Sequence, residues 1–218
     1  MGYNIAIDGP AGAGKSTIAK IIAKDKGFIY VDTGAMYRAL AIHFLRNGVD
    51  GNDEEAVSKS CLEAEVSLRY DDGVQVVLLN GENVNAYLRT EEVGNMASLT
   101  SKYAKVRERL TLLQKELAKN SDVVMDGRDI GTVVLPNADL KIYLTASADV
   151  RAQRRCDELA AKDEEADFEK IKEDIIARDY QDMHREVAPL RQAEDAKVVD
   201  SSFMTIEEVV ATIEGLCK

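Results

Sequence analysis

Gly9-Pro10-Ala11-Gly12-Ala13-Gly14-Lys15-Ser16, followed by Thr17, fits the spacing G-x-x-x-x-G-K-[ST]. That spacing suits one task, the holding of a polyphosphate such as that of ATP. Glycines let the backbone wrap an anion with no Cβ in the way. A helix starting at Lys15 would turn its unpaired N–H groups and the positive end of its dipole toward the same anion. Lys15 would reach the β- and γ-phosphates, and the Ser16 hydroxyl would ligate Mg²⁺. A glycine-rich turn ahead of a helix is the plain alternative; the complete motif with both flanks favours phosphate.

Four further groups carry charge at suggestive spacings. In Asp126-Gly127-Arg128-Asp129 a strand-terminal acid, Asp126, would hold Mg²⁺ or its water shell. Arg128 would grip a phosphate through two oxygens, and Asp129 would accept hydrogen bonds from a base or sugar. Taken alone, this is also an ordinary charged turn. Arg178, Asp182 and Arg185 lie at i, i+4 and i+7, on one helix face, which suits a site or an exposed ion-pair ladder. Arg151, Arg154 and Arg155 form either a solvated basic face or a cluster that closes over polyphosphate. In the second case they neutralise transition-state charge and exclude water. Thr33-Gly34, with Tyr37-Arg38, opens a helix. It reads as a plain capped helix or as an anion contact with Arg38 on the phosphate.

These groups need a scaffold that brings strand ends together. Apolar runs at 3–8, 28–31, 122–126, 140–144 and 197–200 read as buried strands. Helical periodicity covers 15–26, 35–45, 53–61, 91–100, 103–119, 147–161, 168–185 and 205–217. Strands that alternate with helices and are apolar throughout predict an α/β fold, a parallel sheet covered on both faces. Ligands of such sheets sit at the carboxyl ends of the strands. Residues 65–70 and 74–79 break the pattern by alternating around Asp71-Asp72-Gly73. With Asn80-Gly81 as a second turn, they predict an inserted antiparallel hairpin or three-stranded piece.

Composition narrows the class of partner. The 218 residues carry a net charge of -11, which opposes a nucleic acid polymer or a membrane surface as partner. No apolar run is long enough to span a bilayer, and no basic segment followed by an apolar region opens the chain. Cys61, Cys156 and Cys217 have no metal-ligand spacing and read as reduced thiols of a cytoplasmic protein. His43 and His184 fall in helices and receive no catalytic role.

Together these stretches resemble the cytidylate kinase family of nucleoside monophosphate kinases. The resemblance is carried by residues 9–17, 32–38, 88–93, 97–98, 106–107, 126–132, 178–179 with Asp182 and Arg185, and 188–190. It runs along essentially the whole chain. It implies a P-loop fold with a five-stranded parallel core (1–62 and 89–218), an insert at 63–88 enlarging the CMP region, and an arginine lid near 147–166. It implies transfer of the γ-phosphoryl group of ATP to CMP or dCMP with Mg²⁺, by a monomer. Arg38, Arg128 and Arg185 would hold the CMP phosphate. Ser98, Arg107 and Asp129 would read cytosine, and Arg178 and Asp182 the sugar. Arg151, Arg154 and Arg155 would be the lid arginines. Thr33 stands where family members often have serine, and it keeps the hydroxyl. The nearest rival is another small-molecule P-loop kinase, which the insert and the Arg178/Asp182/Arg185 face oppose. A P-loop NTPase switch is opposed by the acidic charge.

Overall fold

The computed structural model describes residues 2–217. Five strands form the main sheet: β1 (Asn4–Asp8), β2 (Ile29–Asp32), β6 (Val123–Gly127), β7 (Leu140–Thr145) and β8 (Lys197–Asp200). Their order is β2-β6-β1-β7-β8, and every pairing is parallel. Between β2 and β6 runs a second sheet of three antiparallel strands, β3 (Val66–Asp71), β4 (Val74–Leu79) and β5 (Glu82–Asn83). The sheet read from sequence as a hairpin or three-stranded piece is therefore three-stranded.

The helices are started by local chemistry. Gly14, at φ 85°, takes the left-handed turn from which α1 (Lys15–Lys26) departs. The Asp32 carboxylate accepts from the Ala35 N–H and caps α2 (Thr33–Arg46), which starts two residues earlier than its apolar period indicated. α3 (Glu54–Glu63), α4 (Glu91–Thr100) and α7 (Phe168–His184) are capped by Asp53, Thr90 and Asp167. Ser147 caps α6 (Ala148–Ala160), and a Thr205/Glu208 capping box opens α8 (Ile206–Glu214). α5 (Ala104–Ala118) follows Tyr103 without a side-chain cap. After β6 the chain makes a wide π-helical turn at Ile130–Val134, which the sequence pattern did not announce.

Two apolar cores flank the sheet. On one face Ile18, Ile22, Val209 and Ile213 of α1 and α8 pack on Ile5, Ile7, Val124 and Ile142. On the other, Met36, Leu40 and Phe44 of α2 pack with Leu110 of α5 and Met125. Val66, Val77 and Leu79 of the small sheet belong to this second core. Burying these side chains contributes about 1.5–3 kcal/mol apiece. Among the described residues no helix is long and apolar enough to cross a membrane.

Candidate active site

A cavity of about 910 Å³ opens at the carboxyl ends of β1, β2 and β6. One end is lined by the glycine loop, residues 11–17, and by Met204, Ile206 and Val209 ahead of and within α8. The other end is lined by Arg38, Ser98, Arg107, Arg128, Arg178 and Arg185. The sheet order explains the meeting: β6 lies between β1 and β2, so Asp126 comes level with both the glycine loop and the start of α2.

At the loop end, the Ser16 hydroxyl donates to Asp126 at 2.9 Å, and the Tyr30 phenol donates to the other carboxylate oxygen at 2.8 Å. Burial pushes the Asp126 pKa up to about 6, and the Asp32 charge adds to the rise. Lys15 is buried and donates to the Pro10 carbonyl at 2.7 Å. Burial, then Arg128, lowers its pKa to about 7. Asp8, at the end of β1, accepts from Ile130 N–H at 2.8 Å and Gly131 N–H at 2.7 Å. It thereby anchors the π-helical turn to the strand that feeds the glycine loop. Burial raises its pKa to about 6 as well.

At the other end the arginines are held by acids. Arg107 pairs with Asp129 at 2.5 Å and also donates to the Ser101 carbonyl at 3.0 Å. Its guanidinium lies 5.5 Å from the Tyr37 ring centre. Arg128 Nε donates to Asp182 at 2.8 Å, and Arg185 Nη1 reaches the same carboxylate at 3.4 Å. Burial pushes the Asp182 pKa up, and Arg128, Arg185 and Arg178 together pull it below the usual carboxylate range. The Nε of Arg178 and the Nη2 of Arg185 are buried without hydrogen-bond partners, although Nη2 lies 3.6 Å from the Asp129 carboxylate. Arg38 folds close over Gly34, where a Cβ would stand 3.3 Å from its Nη1.

Not every candidate reaches the cavity. Thr33 lines it, yet its hydroxyl is taken by the Asp126 carbonyl at 2.7 Å. Ser98 also lines it, while its carbonyl receives Gln181 at 2.9 Å. The three arginines of α6 part company. Arg154 lines the cavity and is tied to Ser201, at 2.7 Å to its carbonyl. Arg151 is buried beneath the glycine loop, donating to the Ala11 carbonyl at 2.9 Å, the Ala146 carbonyl at 2.9 Å and Asp179 at 2.6 Å. Arg155 points outward and pairs with Glu158 at 3.1 Å on its own helix. Sequence reasoning gave no role to Asp8, Tyr30, Tyr37 or Asp179. Tyr37 and Asp179 stood inside recognised motifs, and Asp8 and Tyr30 become visible only through contacts distant in sequence.

Ser16 and Asp126 offer hard oxygen donors side by side, which fits Mg²⁺. No group of three or more histidine, cysteine or acidic side chains able to hold a metal occurs among the described residues. The pair therefore suits an ion that keeps waters and phosphate oxygens as its other ligands.

Relatives agree with this picture. A cytidylate kinase from Caldicellulosiruptor bescii is 50% identical over 210 residues, covering 96% of this chain and 93% of the relative. One from Shouchella clausii is 49% identical over 217 residues, covering 100% of this chain and 96% of the relative. Among solved structures, a gluconokinase from Sinorhizobium meliloti superposes with a TM-score of 0.51 at 14% identity, covering 98% of this chain and 91% of that one. A shikimate kinase from Bacteroides thetaiotaomicron gives 0.50 at 15% identity, covering 98% and 97%. At such identities the likeness is one of fold, and the fold is that of P-loop kinases. The family model described as cytidylate kinase matches residues 5–218, and with half of its residues shared from end to end the chain belongs to the cytidylate kinase family.

Proposed function

We propose that the protein transfers the γ-phosphoryl group of ATP to CMP or dCMP, giving ADP and CDP or dCDP. The observation that carries this is the two-ended cavity: a phosphate-binding loop faces a group of arginines across one continuous space. No protein nucleophile is needed. A CMP phosphate oxygen attacks the γ-phosphorus in line, and the chain positions two anions and screens their repulsion. Lys15 and the N–H groups of α1 hold the donor phosphates. Arg38, Arg128 and Arg185 hold the acceptor phosphate, where planar guanidinium forks suit two oxygens at once. Arg178 and Asp182 lie beside them for the sugar, and Ser98, Arg107 and Asp129 for the base. Mg²⁺, held beside Ser16 and Asp126, would neutralise charge that develops on the transferred group.

The small sheet with its flanks, residues 63–88, enlarges the acceptor end, and residues 147–166 form the lid over the donor end. Arg154 is the lid arginine that lines the cavity. We further propose that the enzyme works as a monomer in the cytoplasm. Three free cysteines suit a reducing compartment.

ADP release measured with CMP, dCMP, UMP, AMP, GMP and no acceptor tests the reading. Release with CMP and dCMP alone is expected. Equal activity with UMP would void the base-reading roles, and release without any acceptor would point to a hydrolase.

A further inference from the structure

β2 is an outer strand of the main sheet, paired with β6 on one side only. In a strand, neighbouring residues turn their N–H and C=O groups to opposite sides. The Ile29 N–H is taken by the Asp122 carbonyl on the β6 side, so Tyr30 and Asp32 face the open edge. Backbone groups there need partners.

The small sheet supplies them with side chains instead of a sixth strand. Tyr70 of β3 and Gln75 of β4 stand directly opposite each other in its ladder. The Tyr70 hydroxyl donates to the Tyr30 carbonyl at 3.1 Å. Gln75 Oε1 accepts from the Asp32 N–H at 2.9 Å, and its Nε2 lies 3.4 Å from the Asp32 carbonyl. Gln75 is itself braced. Asn85 donates to its carbonyl at 3.1 Å and accepts from the Val77 N–H at 2.9 Å.

Asp32 is a sensitive point to hold. Its carboxylate caps α2 through the Ala35 N–H at 2.9 Å and receives Arg89 at 3.3 Å. The first turns of α2 then carry Thr33, Gly34 and Arg38 into the acceptor end. The far end of α2 is held by the same sheet, with Arg46 on Glu82 at 2.7 and 2.9 Å.

We infer that Gln75 is a positioning residue for the acceptor: it fixes Asp32, and through it the start of α2 and its arginine. The inference rests on the functional reading above. Without the amide, the Asp32 N–H loses its partner and the helix start loosens where the CMP phosphate binds. ATP binds through α1, which Gln75 does not touch.

The test is steady-state kinetics on the full chain with Gln75→Met, which keeps the length and packing of the side chain but not its hydrogen bonds. We expect KM for CMP to rise about tenfold, with KM for ATP and kcat changed less than about twofold. Val77→Ala loosens the same sheet from its buried side and should leave KM for CMP near that of the unaltered enzyme. An unchanged KM for CMP in Gln75→Met, an equal rise for ATP, or an equal rise in Val77→Ala would overturn the inference while leaving the kinase intact. An unaltered enzyme that does not phosphorylate CMP would sink the functional reading, and the inference with it.

Discussion

The Ser16 hydroxyl donates to the Asp126 carboxylate at 2.9 Å, although 110 residues separate them in the chain. The contact joins the first turn of α1 to the end of β6 and sets two oxygens at one point of the cavity. Ser16→Ala should raise the Mg²⁺ concentration needed for half-maximal rate by about tenfold, and Ser16→Thr should restore it. Titrating activity with Mg²⁺ at fixed ATP checks this. An unchanged Mg²⁺ demand in Ser16→Ala would remove the serine from the ion's surroundings.

Arg151 and Arg155 lie one helical turn apart and should behave as opposites. Arg151 supports the glycine loop from below through the Ala11 carbonyl and neutralises Asp179. Arg151→Ala should raise KM for ATP by about tenfold or more and lower stability by about 2 kcal/mol, because it leaves a part-buried acid and two backbone carbonyls without their partner. Arg151→Lys should restore little, since an ammonium cannot reach three acceptors in the plane of a guanidinium. Arg155→Ala should match the unaltered enzyme in both respects. Equal losses at the two positions would mean that α6 closes over the donor as a unit.

The Arg107–Asp129 pair bears on base choice. Both side chains are nearly fully buried, at 5% and 7% exposure, so neither charge is free to drift. Arg107→Met should narrow the ratio of kcat/KM between CMP and UMP by about tenfold or more, chiefly through loss with CMP. A ratio that does not move would place base recognition elsewhere.

Stability of the ligand-free protein should fall as pH rises from about 4 to about 6. Asp8 and Asp126 have folded pKa values of about 6, above the 3.8 of an unhindered carboxyl. Within that window the folded state binds more protons than the unfolded one, and raising pH then favours unfolding. Each group contributes up to about 1.4 kcal/mol per pH unit. Lys15 works oppositely at higher pH. Its folded value of about 7 lies below the ordinary 10.5, so deprotonation above pH 7 restores stability. Urea unfolding between pH 4 and 9 should therefore show a minimum near pH 6 to 7. A monotonic rise from pH 4 would contradict the burial of these charges.

Much of this arrangement is legible in the sequence. The glycine loop, the strand-end acid at Asp126 and the Arg178/Asp182/Arg185 face are local patterns. Each depends on spacing within one element and its neighbour. Arg151 and Arg155 show where spacing stops. Helical period puts them on one face of α6, yet packing of α6 on α7 and the loop buries one and leaves the other in water. Tyr30 and Gln75 show a second limit. An aromatic in a strand reads as core, and a glutamine between valines reads as a solvent-facing strand residue. The pairing of β2 with β6 makes Tyr30 a partner of Asp126, and the placement of the small sheet beside β2 makes Gln75 a partner of Asp32. The π-helical turn after β6 follows from Asp8 accepting two consecutive N–H groups, a demand invisible in residues 130–134 themselves.

The two apolar cores divide the molecule by ligand. The residues that would meet the donor phosphates open α1, rooted in the layer of α1 and α8, whereas Arg38, Ser98 and Arg107 of the acceptor end stand on α2, α4 and α5 in the opposite layer. Each substrate thus has its own footing, and the two footings meet in one cavity over the carboxyl edge of the sheet. Amide exchange should register this as two separable zones of protection, one slowed by ATP and the other by CMP, with the strands common to both.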